Sequence, residues 1–120
     1  MAQLHQLLKA AGEPTRLRIL HLLAQSSLCV CDLQALLQTT QTKMSRHLAF
    51  LRHAGLVVDE RNGIRIFYAL VLARTSAHRL LLRLLAEAGK SEPQLRQDLR
   101  RLRAGQRRGQ WHAPPGRRGR

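Results

Sequence analysis

Cys29 and Cys31 are the only thiols in the 120 residues, and a single valine separates them. A disulfide across one intervening residue is geometrically strained, so free thiols in a reducing cytoplasm are expected. As thiolates, two sulfurs this close are ligands for a soft ion. Hydrophobic spacing places them at the start of a short helix, roughly Val30 to Gln38, with Leu33, Leu36 and Leu37 inward. Unpaired amides at a helix start carry partial positive charge and lower the pKa of a thiol. On a regular helix, residues i and i+2 point about 200° apart. Both sulfurs therefore reach one ion only if the first helical turn unwinds. The alternative role is inert packing, since cysteine also behaves as a small hydrophobe.

A second group follows closely. Thr39-Thr40 makes a tight polar joint, and either hydroxyl can cap the next helix, Gln41 to about His53. Met44, Leu48 and Leu51 form the buried stripe of that helix; Thr42, Ser45, Arg46 and Ala49 face away. Two helices joined by a tight turn and followed by a hairpin make a winged helix-turn-helix, whose second helix lies in the major groove of DNA. The candidate reading residues are Thr40, Gln41, Thr42, Lys43, Ser45, Arg46 and His47. Arginine pairs with guanine and glutamine with adenine, while lysine and the hydroxyls suit phosphates or bases. His53 is read instead as a helix-end residue facing the terminal carbonyls. Any one of these residues is compatible with a solvated surface helix; together, and with a basic hairpin behind them, they point to duplex DNA.

The elements that hold these groups are legible from periodicity. Leu4, Leu7, Leu8 and Ala11 form the stripe of a first helix closed by Gly12. Glu13-Pro14-Thr15 opens a second, with Leu17, Leu20, Leu23 and Ala24 inward and Ile19 beside them, broken at Ser26-Ser27. Strands Leu56 to Glu60 and Ile64 to Leu70 flank a turn at Arg61-Asn62-Gly63. Arg61, Asn62 and Arg65 then sit at the hairpin tip, placed to meet phosphates or the minor groove. A fifth helix, Ser76 to Ala88, carries more apolar surface than a small domain covers, so a partner chain is expected over it. Leu95, Leu99 and Leu102 line a further helix after Pro93, within residues 89–104. From Gly105 to Arg120 the composition predicts a basic disordered tail, with Trp111 and His112 isolated in it. The fold expected is mainly α with a β-hairpin wing, as one DNA-binding and dimerisation domain over residues 1–88.

Lys and Arg total 21 against 7 Asp and Glu, for a formal net charge of +14. A surplus of this size implies a polyanionic partner. Arg100, Arg101, Arg103, Arg107, Arg108, Arg117, Arg118 and Arg120 concentrate it near the end, where they add salt-sensitive phosphate contacts or merely solubilise. No apolar run approaches a membrane span, and no signal-peptide pattern opens the chain. No phosphate-gripping glycine loop, HExxH motif or nucleophile triad is present, so an enzyme is not expected.

Three segments make the chain resemble the ArsR/SmtB family of metal- and metalloid-responsive repressors, over roughly residues 3–88 and more loosely to about Ala104. They are Glu13-Pro14-Thr15-Arg16-Leu17-Arg18-Ile19-Leu20, Leu28-Cys29-Val30-Cys31-Asp32-Leu33, and Thr42-Lys43-Met44-Ser45-Arg46-His47-Leu48 with Leu51 to Val57 after it. The resemblance implies a homodimer held by the first and fifth helices and an imperfect palindromic operator near its own promoter. It also implies release of that operator when Cys29 and Cys31 bind trivalent arsenic or antimony, As(III) or Sb(III). It implies no cofactor for DNA binding itself. A two-fold dimer would present its reading helices about one DNA turn, roughly 34 Å, apart.

Two departures from the family pattern matter. The fullest arsenical motif has a third cysteine where this chain has Gln34, a poor soft-ion ligand, which leaves the third ligand open to hydroxide or a small thiol. The family's zinc site on the fifth helix falls near Leu72, Arg74, Leu85 and Ala88, none of them a good ligand; His78 and Glu87 are expected to face solvent. The cadmium and lead sensors need N-terminal cysteines, and none precedes Cys29. An oxidative or other soft-metal trigger, and a non-sensing basic nucleic-acid-binding module, are the alternative readings.

Overall fold

The structure is a computed structural model that describes residues 1–115. Arg117, Arg118 and Arg120 of the expected tail lie outside the described residues. The order is α1 (Ala2–Ala11), α2 (Pro14–Gln25), β1 (Leu28–Cys29), α3 (Val30–Leu37), α4 (Gln41–His53), β2 (Val57–Asn62), β3 (Arg65–Leu70), α5 (Ser76–Ala88) and α6 (Pro93–Arg107). The helix-turn-helix pair is α3 and α4, and the wing is β2 with β3.

Local chemistry sets the helix starts. The Glu13 carboxylate accepts from the amide of Arg16 at 2.8 Å, and Pro14 occupies the first turn. Thr40 Oγ1 accepts from the Lys43 amide at 3.2 Å and starts α4. Between them, α3 ends on Gln38 in the left-handed region, at φ 53°. That residue reverses the chain within the few positions a helix-turn-helix allows.

The core is aliphatic, as the composition requires: Leu20, Leu22, Leu33, Leu36, Leu48, Leu51, Leu56 and Leu102 are all buried. On α2 the buried set includes His21 and Leu22, whereas Ala24 is exposed. The cause is α6, which packs along α2 and α3 and brings a second layer against that flank. Leu4, Leu8, Leu80 and Leu84, from the expected stripes of α1 and α5, remain exposed. His78 is buried rather than solvent-facing, and burial lowers its pKa from the usual 6.5; Glu87 is exposed, with Lys90 at 2.8 Å.

The hairpin differs from expectation in its turn. Asn62 pairs with Arg65, so the loop is Gly63-Ile64, and Arg61 and Asn62 belong to β2. Gly63, at φ 68°, supplies the positive dihedral that a two-residue hairpin needs at its first position. β1 was not anticipated. It pairs antiparallel with β3, Leu28 opposite Tyr68 and Cys29 opposite Phe67, giving sheet order β1-β3-β2.

The largest correction is at the C-terminus. α6 runs through Gly105 to Arg107 and is anchored at both ends. Arg18 makes a two-pronged ion pair with Asp98 at 2.9 and 3.0 Å, the carboxylate being fully buried, and Gln94 donates to the same group at 2.9 Å. Arg101, expected among tail arginines, donates to the Leu36 carbonyl at 2.6 Å and closes the C-terminal end of α3. Nor is Trp111 isolated. Its indole donates to the Leu102 carbonyl at 2.8 Å, and its ring lies on Gly105, where a Cβ would collide with it. The glycine that suggests disorder is therefore a docking surface for an aromatic ring. Replacing Asp98 with Ala leaves the Arg18 charge half-enclosed and unpaired. Urea unfolding should show a loss of about 3–5 kcal/mol; a loss below about 1 kcal/mol would mean that α6 is not held this way.

Candidate ion site and nucleic-acid interface

Cys29 ends β1 in extended conformation, φ −67° and ψ 147°, while Cys31 lies in the first turn of α3. The two residues therefore do not share a regular helix, and their sulfurs converge at 2.6 Å with α3 intact. The expectation that the first turn must unwind fails for this reason. The strand-to-helix joint aims both sulfurs at one point, Cys29 from the buried side and Cys31 from the exposed side.

The expectation of a lowered thiol pKa also fails at Cys31. Burial of the sulfur among its neighbours is the largest influence, followed by the hydrogen bond and charge of Cys29 and the charge of Asp32; Arg65 acts in the opposite direction. The result is a thiol pushed up to about 11. One eight-residue helix offers too little dipole to offset a sulfur neighbour and a carboxylate.

Two further groups close the site. Asp32 is buried, and its carboxylate accepts the His112 amide at 2.7 Å and lies 3.0 Å from His112 Nδ1. That same Nδ1 is 3.5 Å from Cys31 Sγ. The ligand atoms of Cys29, Cys31 and His112 all lie within 4.8 Å of one another. Sequence reasoning passed over His112 because 81 residues separate it from Cys31, and only the path of α6 brings them together.

The reading residues divide into two groups. Gln41, Thr42, Lys43, Ser45 and Arg46 are exposed on one side of α4. Thr40 is occupied as the cap, and His47 is half-buried, with Nδ1 3.4 Å from an Arg16 guanidinium nitrogen and 3.9 Å from Glu13. His47 thus ties α4 to the start of α2 rather than standing with the exposed set. Arg61, Asn62 and Arg65 are exposed on the two wing strands. Cys29, Cys31, Gln34, Gln41, Ser45 and Arg65 line one cleft of about 490 Å³, so the sulfur pair and the exposed face of α4 adjoin a common space.

Residues 13–58 match the family described as bacterial regulatory protein, arsR family. A solved structure of HlyU from Vibrio cholerae N16961 is 34% identical and superposes with a TM-score of 0.63, covering 72% of this chain and 90% of that one. The chain belongs to the arsR family. It is a winged helix-turn-helix of a family of DNA-binding transcriptional regulators, not of enzymes. The arsenical resistance operon repressor of Escherichia coli (strain K12) is 47% identical over 66 residues, 54% of this chain and 56% of that protein. The chain spans about half the length of the first curated relatives it matches. The homodimeric winged helix-turn-helix domain of Mb0332 from Mycobacterium bovis, a possible ArsR-family regulator, is 26% identical with a TM-score of 0.59, covering 95% of this chain and 89% of that one. Among the described residues no helix is long and apolar enough to cross a membrane.

Because the thiolate is the reactive form, a Cys31 pKa near 11 leaves that thiol protonated at neutral pH. Its alkylation rate, followed by peptide mapping, should rise about tenfold per pH unit from pH 7 to pH 10. A plateau below pH 9 would contradict the raised pKa.

Proposed function

We propose that the chain is a cytoplasmic repressor of arsenical resistance that binds an imperfect palindrome in duplex DNA as a homodimer. It lets go when As(III) or Sb(III) binds Cys29 and Cys31. The observation that carries this reading is the convergence of both sulfurs at the joint between β1 and α3, beside the exposed face of α4. The exposed Leu4, Leu8, Leu80 and Leu84 on α1 and α5 supply an apolar surface for the second copy.

Arsenous acid suits a pair of protonated thiols. Two S–H groups replace two hydroxides on As(OH)₃; two As–S bonds form, two As–O bonds break, and two waters leave with the thiol protons. No base is needed, so the high pKa of Cys31 is no obstacle. Two sulfurs held on one ion at about 2.3 Å stand roughly 3.5 Å apart, which is also the ordinary contact distance of two unbonded sulfurs, so the pair is preorganised for the ion. The bound ion therefore acts as a link. Cys29 is fixed in the sheet, so the link ties Cys31 and the first turn of α3 to it, and α3 packs directly on α4.

In gel-shift titrations with arsenite, the parent protein should release operator DNA. Cys29→Ser and Cys31→Ser should stay bound at concentrations at least tenfold higher. Release of either variant at the parent's concentration would end the metalloid reading, and release by peroxide but not arsenite would replace it with an oxidative trigger. Separately, Arg46→Ala should weaken binding of the specific operator about 10–100-fold. Unchanged affinity would remove α4 from base reading.

A further inference from the structure

Gln34, where a third cysteine would stand, leaves the ligand set short, and the fold brings a replacement from the far end of the chain. We propose that His112 is the third ligand of the Cys29–Cys31 site, making a Cys2His site for a divalent thiophilic cation of the zinc–cadmium kind. Binding clamps the segment after α6 onto α3. The proposal rests on the reading of Cys29 and Cys31 as an ion-binding pair and adds a second class of ion to it.

The segment is built to deliver this side chain. α6 ends in a turn at Gly109, φ 66°, closed by the Gln110 amide on the Gly105 carbonyl at 2.8 Å. Trp111 then docks on Leu102 and Gly105, and the next residue reaches Asp32. The grip of Asp32 on the His112 main chain fixes the position of the imidazole; Asp32 also lies 3.0 Å from Nδ1, the nitrogen that faces Cys31, so on binding Nδ1 exchanges the carboxylate for the ion. The ring nitrogen lies 3.5 Å from Cys31 Sγ. Bonds of about 2.0–2.3 Å to a tetrahedral ion need ligand atoms roughly 3.3–3.8 Å apart, so shifts of about 1 Å convert the cluster into a coordination site. Three protein ligands leave the fourth position to water, as in other open Cys2His sites. Imidazole is a good ligand for zinc-like ions, which gives His112 a use beyond the two-sulfur grip on arsenic. Among the described residues, no other cluster of three such ligands is present.

The experiment titrates the full chain with Cd²⁺, reading sulfur-to-cadmium charge-transfer absorption, emission of the single Trp111, and the His112 imidazole resonances by NMR. The proposal expects one Cd²⁺ per chain, a change in Trp111 emission and a shift of the His112 signals. It also expects affinity about 100-fold weaker in His112→Ala and similarly weaker in His112→Gln. Equal affinity in parent and variants, unmoved His112 resonances, or no Cd²⁺ binding by the parent would each overturn it. Operator release by arsenite is scored separately on the parent. If arsenite fails while the Cd²⁺ results hold, only the metalloid reading falls; if arsenite releases DNA while His112→Ala binds Cd²⁺ like the parent, only the His112 ligand falls.

Discussion

At Cys29 the chain leaves a sheet and at Val30 it enters a helix, and the direction of the two sulfurs depends on that change of backbone. Pairing of Cys29 with Phe67 holds the first sulfur in extended geometry, and the first turn of α3 holds the second. Had the helix begun two residues earlier, the thiols would point to different sides. A joint of this kind also ties the sulfurs to β3 of the wing on one side and to α4 through α3 on the other. An ion held by both sulfurs would therefore bear on both parts proposed to meet DNA.

The scaffold around this joint is held from behind. α6 crosses α2 and α3, anchored by the buried Arg18–Asp98 pair and by Arg101 on the last carbonyls of α3. These contacts fix the C-terminal end of α3, and a helix held at one end transmits displacement at the other into the helix packed against it, here α4. Arg16 contributes a second brace, lying over the Phe50 ring at 4.2 Å and donating to the Ala10 carbonyl at 2.7 Å, which links α1, α2 and α4.

Much of the arrangement was legible in the residues. The spacing of Leu and Ala gave α1, α2, α3, α4 and α5 nearly to the residue, and the run of Leu95, Leu99 and Leu102 gave most of α6. What was not legible depends on contacts distant in sequence. β1 is two residues long and leaves no periodic trace, yet it decides the geometry of Cys29. The turn slipped by one residue because Asn-Gly and Gly-Ile both tolerate the required dihedral at the glycine. Arg101, Trp111 and His112 were misjudged for one reason. A polar or lone aromatic residue reads as surface until the fold supplies its neighbour, and these find theirs in the Leu36 carbonyl, the Leu102 carbonyl and Asp32; His78 is buried with its Nε2 unpartnered among the described residues, which no spacing foretells. At the site the residues made the thiol pair legible, but not how the sulfurs come together, the raised pKa of Cys31 or the approach of His112.

The central claim is that two sulfurs of one chain grip the ion without a third. X-ray absorption at the arsenic edge, on the fully loaded protein, counts those neighbours directly. The account predicts two sulfurs per arsenic with a light atom completing the shell; an arsenic surrounded by three sulfurs, or by oxygen alone, would contradict it.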